Sequence, residues 1–193
     1  VFDEEAARFV IIMEDLNSRS ARFPSAMTPI ALGEITSLVE NLAALHAHFW
    51  NGPRLARELS WVPTPCSGGM YKVFRSMGLD LVRHQVEQNG FKQELIEPLG
   101  RSPDEMWEDL WKVQEILNGE PSTLLHGDTH IGNTYLLPDG TGGLLDWQLM
   151  IRGVWAHDLT YVLVTGLDPD QRRAHERDLI TLYLDALRRR GVG

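Results

Sequence analysis

Apolar residues recur along this chain at two periods, and the change between them falls near residue 120. In the first part, Ile35, Leu38, Val39, Leu42, Leu45 and Phe49 follow the three-and-four spacing of one helical face. Thr28 supplies a candidate N-cap, Pro29 stands at the first helical position, and Asn51-Gly52-Pro53 is a stop signal. Residues 70–88 also fit a helix. Ser102-Pro103-Asp104-Glu105 combines a capping box with proline at its first turn and predicts a helix whose inner face is Met106, Leu110, Val113 and Leu117. Beyond residue 120 the apolar runs shorten to strand length, over 123–125, 134–137 and 143–145, and the last two are joined by a hairpin-type connection at 138–142. Asp158 is expected to cap a short apolar helix. Asp168-Pro169 is expected to open a longer one ending in Arg188, Arg189 and Arg190 before Gly191. Near the start, "RFVIIME" at 8–14 predicts a buried strand, and the polar, proline-containing segment after it a loop. The pattern predicts an α+β fold, mostly helical, with a small β-hairpin region.

Length adds that the 193 residues suffice for one core but give no reason to expect two complete domains. No apolar run approaches the ~20 residues that cross a bilayer, so no membrane span is expected. Cys66 is the only cysteine, which excludes an intrachain disulfide and a cysteine-built zinc site and suits a cytoplasmic location. A net charge of −9 argues against a nucleic-acid groove, because phosphate backbones are held by Lys and Arg. The chain starts at Val1 and is expected to be a fragment.

The candidate chemistry lies in "LLHGDTHIGNTYLLPDGTGGLLDW", residues 124–147, where His126, Asp128, His130, Asn133 and Asp146 interrupt short apolar segments. Any one of them alone fits a turn or a cap. Together, an acid and an amide five residues apart in a loop, with a second acid after the hairpin, can converge on a divalent cation. Phosphoryl transfer uses such a set: one carboxylate orients the attacking hydroxyl, while an amide and another carboxylate hold the metal on the triphosphate. His46, on the mostly apolar face of the Thr28 helix, is expected to be a core histidine. The glycine-rich segments at 67–69 and 140–143 are expected to be turns, since neither precedes a phosphate-loop Lys.

The order His-x-Asp, Asn, hairpin, Asp resembles the catalytic and metal loops of protein-kinase-like enzymes. With Gly after the His and Trp after the second Asp, it resembles the aminoglycoside phosphotransferase and choline kinase group. "LAALHAHFW" and "DWQ…RGVWAHDLTYVL" resemble its ecdysteroid-kinase-like branch. The resemblance implies a kinase-like C-terminal lobe over 17–193, with 1–16 a hinge-strand remnant of an N-terminal lobe absent from this chain, and truncation at both ends. It implies an ATP-dependent small-molecule kinase that uses Mg2+ and moves the γ-phosphoryl to a substrate hydroxyl. Its partners would be a nucleotide and that small molecule, with no nucleic acid and no membrane. Asp128 would be the catalytic base, Asn133 and Asp146 the Mg2+ ligands, and His126 and Asp158 loop supports. His130 is a candidate for facing substrate, and the backbone of Met13, Glu14, Asp15 and Leu16 would meet the adenine. Ile131 departs from the family pattern, which often has proline there. The acceptor pocket would be built from residues 70–111, and this chain alone is expected to be inactive. The alternatives are a non-catalytic kinase-like binding module and, behind it, a metal-dependent phosphoesterase, whose ligands would be spread more widely along the chain.

Overall fold

The computed structural model describes residues 2–3, 5, 8–28 and 30–193. Its first elements are two-residue strands, β1 (Phe2–Asp3) and β2 (Arg8–Phe9), paired antiparallel with Phe2 opposite Phe9. The buried strand expected over 8–14 is corrected to these two residues followed by exposed chain, in which Ile12 is 93% and Met13 81% exposed. β-branched residues favour a strand where a sheet face covers them, and here the pairing with β1 spans two positions only. Asp15 then caps a short 3-10 turn (Leu16–Arg19), accepting from the Asn17 N–H at 3.0 Å.

Helix α1 (Leu32–Phe49) starts four residues beyond the expected cap. Pro29 lies outside the described residues, and Thr28 instead bonds Ser25 through its hydroxyl. The working start signal is Glu34, whose carboxylate accepts the Ala31 N–H at 2.8 Å. The apolar face is buried from end to end: Ile35, Leu38, Val39, Leu42, Ala43 and His46 are all fully buried. Each large aliphatic side chain on that face contributes roughly 1.5–3 kcal/mol by leaving water.

A helical arm follows: α2 (Pro53–Ala56), α3 (Gly68–Val73), a π turn (Phe74–Gly78) continuing into α4 (Leu79–Glu87), then α5 (Gly90–Ile96) and α6 (Pro103–Leu117). The Ser102 capping box forms as expected, with Ser102 N–H to Glu105 at 2.8 Å and Glu105 N–H to Ser102 Oγ at 3.2 Å. The inner face of α6 is corrected. Leu110 and Val113 are 44% and 48% exposed, whereas Trp111 is buried and meets Trp107 and Tyr71 edge-on at 5.7 and 5.3 Å. Indole rings offer more area to bury than the aliphatic positions, and they set the helix rotation. Gly78 makes this possible, because a Cβ there would lie 2.4 Å from the Trp107 ring.

Past α6 come β3 (Thr123–Leu125), β4 (Thr134–Leu136), β5 (Gly142–Leu144) and β6 (Ile151–Gly153), all in antiparallel pairs. β4 and β5 form the expected hairpin, with Tyr135 opposite Gly143. β6 was not anticipated, and it pairs with β3, Leu124 opposite Arg152. Helices α7 (Ala156–Gly166) and α8 (Pro169–Arg189) complete the chain. Asp168 caps α8 as expected, accepting from Asp170 and Gln171 N–H at 2.9 Å. The main core joins α1, α7 and α8 with Ile131 and Leu136 from the loop and hairpin, giving an α+β fold. α1 also holds β5 directly, since Ser37 Oγ accepts the Gly142 N–H at 2.9 Å. The polar loops between β3 and β6 are thereby mounted on a rigid helical base.

Candidate active site

His126 and Asp128 leave β3 in a loop whose path depends on Gly127. Its φ is +84°, and a Cβ there would sit 2.1 Å from the Leu149 carbonyl oxygen. Gly127→Ala should therefore displace the loop or cost about 1–3 kcal/mol, the range for a side chain forced into such a conformation. A thermal midpoint equal to wild type, with unchanged backbone shifts at 126–128, would contradict this.

The loop carries the candidate residues in one hydrogen-bonded unit. The Asn133 amide donates to both the backbone oxygen (2.9 Å) and the carboxylate Oδ2 (3.0 Å) of Asp128. Its Oδ1, on the other side of the amide, is left as an oxygen donor. Leu145 joins the hairpin to this unit through its backbone alone: its N–H donates to Asn133 O at 2.8 Å, and its carbonyl accepts His126 Nε2–H at 2.6 Å. His126 Nδ1 then accepts the Asp128 N–H at 3.3 Å, which fixes the neutral Nε2–H tautomer and leaves neither ring nitrogen for a metal. Asp146 follows immediately, exposed, with φ 58° and ψ 70° in the left-handed region that a non-glycine residue seldom occupies. Its carboxylate accepts from Gln148 Nε2 at 3.1 Å.

Asp158 is fully buried, and its role as a helix cap is corrected. It lies in the first turn of α7, whose N-cap is Trp155, and its carboxylate turns to the loop instead. Oδ2 accepts the His126 N–H at 2.7 Å and Oδ1 the Gly127 N–H at 3.0 Å, which are stronger partners than a helix end already reached by water. His46 Nε2 donates to the same carboxylate at 3.2 Å, and His46 Nδ1 shares a hydrogen with the Tyr183 hydroxyl at 2.6 Å. The expected core histidine is thus the buried end of the loop's support. Burial alone would raise the Asp158 pKa, but the His46 bond and charge and the Gly127 and His126 N–H groups outweigh it and hold it below the usual carboxylate range.

One face of α7 grips the loop at helical spacing, which sequence reading missed. His157 Nε2–H donates to Gly127 O at 3.0 Å, Asp158 O accepts the Thr129 hydroxyl at 2.8 Å, and Thr165 Oγ accepts the Ile131 N–H at 2.9 Å. Between them stands Tyr161, whose phenol pKa is pushed up by burial, then by the charge and hydrogen bonding of Asp128 beside it. The signal was the spacing of 157, 161 and 165, hidden in a run that looked like an ordinary apolar helix. His130 sits with its Nε2 3.8 Å from the Asp128 carboxylate and its ring 5.9 Å from Tyr161, half-exposed at the edge of the site.

Met13, Glu14, Asp15 and Leu16 are not gathered into this unit. The Asp15 and Leu16 carbonyls bond within their own turn, to Ser18 N–H at 3.0 Å and Ala21 N–H at 3.2 Å, and Glu14 faces Arg19 at 3.8 Å. Beside the loop, by contrast, lies a cavity of about 390 Å³ walled by Tyr71, Phe74, Trp107 and Trp111 and floored by Gly127 and Gln148. Among the described residues no three His, Cys, Asp or Glu side chains are grouped as a metal cage, and no helix is long and apolar enough to cross a membrane.

Comparison with curated proteins and with solved structures gave no match. A family model does match, over residues 1–190, and it is that of a kinase-like family. The loop, the hairpin acid and the helix behind them fall within that span, so that the chain belongs to the ecdysteroid kinase-like family.

Proposed function

We propose that this chain is the C-terminal lobe, over residues 17–193, of an ATP-dependent small-molecule kinase that transfers the γ-phosphoryl group to a substrate hydroxyl. Membership in a kinase-like family supports phosphotransferase chemistry in general. The observation that carries the finer reading is the Asn133 amide on the Asp128 carboxylate, with the Asp146 hairpin tied to the same Asn133 through Leu145 N–H.

Asp128 takes the role of hydroxyl-orienting base. Asn133 occupies one carboxylate oxygen, which fixes the plane of the group, and leaves Oδ1 to accept the acceptor's proton. The donor set fits Mg2+: Asn133 Oδ1 and the exposed Asp146 carboxylate are hard oxygen ligands. Magnesium is commonly held by one or two carboxylates together with substrate phosphates rather than by a protein cage. When bound, Mg2+ would neutralise phosphate charge there. His126 and Asp158 hold the loop, and His130 faces the acceptor side. Residues 1–16 would form the hinge segment. There the Met13 and Glu14 backbone is the part of the proposed adenine contact that no local turn consumes. The aromatic cavity suits the apolar body of the acceptor, since Gln148 on its floor touches Asp146. A cytoplasmic location accords with the single free thiol of Cys66.

A phosphoesterase reading is disfavoured, because both nitrogens of His126 are engaged inside the loop. The test of the kinase reading is a magnesium titration of Asp146→Asn in the presence of ATP and an accepted alcohol. The Mg2+ needed for half-maximal activity should rise roughly tenfold or more, the factor that ~1.4 kcal/mol of lost ligand binding produces. Titration curves that overlay on wild type would remove Asp146 from the metal site.

A further inference from the structure

The aromatic cavity does not end at its tryptophans. Thr64, Pro65, Gln114 and His157 in its lining also line a second cavity of about 280 Å³ beside it. The second compartment has a different chemistry. Asn118, Ser122 and Arg152 stand in its wall, and among the described residues neither the Gln114 nor the Asn118 side-chain amide has a hydrogen-bond partner.

Arg152 is the informative residue. It lies on β6 opposite Leu124, and its guanidinium is tied down by two backbone carbonyls, Nε to Val62 O at 2.7 Å and Nη1 to Leu55 O at 3.4 Å. Val62 and Leu55 are themselves buried, so the cation is held on rigid chain. Among the described residues no carboxylate lies within ion-pair distance of it, although the chain carries 27 acidic residues against 18 basic ones. Other arginines here, such as Arg54, Arg101 and Arg173, find an acid at 3.0 Å or less. A half-buried guanidinium with N–H donors to spare, flanked by unpaired amides, is an arrangement that recognises an oxyanion.

We infer that the acceptor is bipartite: an apolar body in the aromatic compartment, and an anionic group, carboxylate, sulfate or phosphate, bound by Arg152 with Gln114 and Asn118 in the second. His157 stands at the junction, its Nε2–H committed to Gly127 O, so the same residue that ties the loop to α7 also borders both halves of the ligand site. This deepens the kinase reading and rests on it for the word acceptor, but anion binding itself requires neither nucleotide nor transfer.

The experiment is therefore a binding measurement without nucleotide. Calorimetric titration would compare 2-naphthalenemethanol with 6-(hydroxymethyl)-2-naphthoate, which shares its ring and hydroxyl and adds a carboxylate. The carboxylate compound should bind at least about tenfold tighter, as one charge-assisted hydrogen bond implies. Asn118→Asp places a negative charge in the second compartment without touching the Arg152 tethers. It should abolish that preference. Equal affinity of the two compounds for the wild-type protein, or an undiminished preference in Asn118→Asp, would overturn the inference. If the preference holds but no alcohol is ever phosphorylated, the anion site stands and the kinase reading falls. Phosphorylation of both compounds with no preference would keep the kinase reading and remove the anion site.

Discussion

Asp128→Ala should lower turnover by roughly 10²–10⁴-fold in the intact protein, the range for losing a positioned acid–base group, with nucleotide affinity little changed. The split between the two parameters follows from the geometry. Asp128 is bonded to Asn133 and neighboured by Tyr161 and His130, the side where the proposed kinase reading puts the acceptor, whereas Asp146, bonded to Gln148, lies on the hairpin side. Removing the Asp128 carboxylate also takes one of two acceptors from the Asn133 amide, leaving the backbone oxygen, so a modest secondary effect on metal requirement is expected. Steady-state kinetics with an accepted alcohol, paired with calorimetric Mg-ATP binding, separates the outcomes. Turnover near wild type would take Asp128 out of the mechanism, and a loss confined to nucleotide affinity would reassign it to the phosphate side.

Asp158→Ala should produce the largest loss of stability from any single change near the site, roughly 3–5 kcal/mol, because it breaks a buried ionic hydrogen-bond set and leaves its partners unpaired. Four groups lose their acceptor or support at once: His126 N–H, Gly127 N–H, His46 Nε2–H and, through His46, the Tyr183 hydroxyl. For a chain of this size such a loss lowers the thermal midpoint by roughly 6–20 °C. The pH dependence has a definite sign. The folded-state pKa of Asp158 is held below its ordinary value, so its contribution is present above the unfolded carboxylate range and is lost as pH falls through the folded value. The midpoints of wild type and Asp158→Ala should therefore converge in acid. A constant gap from neutral to acidic pH would show that the variant fails through packing and not through the carboxylate.

The grouping of the candidate residues was legible because they are close in sequence: Asp128 and Asn133 share one loop, and the hairpin carrying Asp146 announces itself by its turn residues. Long helices were legible for the same reason, their apolar periodicity being a local property, as with α1 and α8. What failed was tertiary. Asp158 fits a cap on local pattern because it precedes an apolar run, and only the family resemblance, which makes it a loop support, points to the two backbone N–H groups some thirty residues earlier that claim its carboxylate. The strand expected over 8–14 has the right residues but lacks a covering face. The rotation of α6 was misjudged because Trp107 and Trp111 answer to Tyr71 and Gly78 on another segment. β6 escaped notice because three residues ending in glycine carry no period, and only β3 beside them makes a strand.

Leu145 links the two halves of the site with nothing but its peptide groups, one bond to Asn133 and one to His126. The message passing between the loop and the hairpin is therefore carried by atoms that every amino acid except proline possesses at that position. Side-chain replacement at 145 should leave the coupling intact, which makes Leu145 itself silent to alanine scanning, although His126→Ala would remove one of the two bonds. A backbone ester in place of the Leu145 N–H would remove the bond to Asn133, leave the one to His126, and preserve every side chain in the protein.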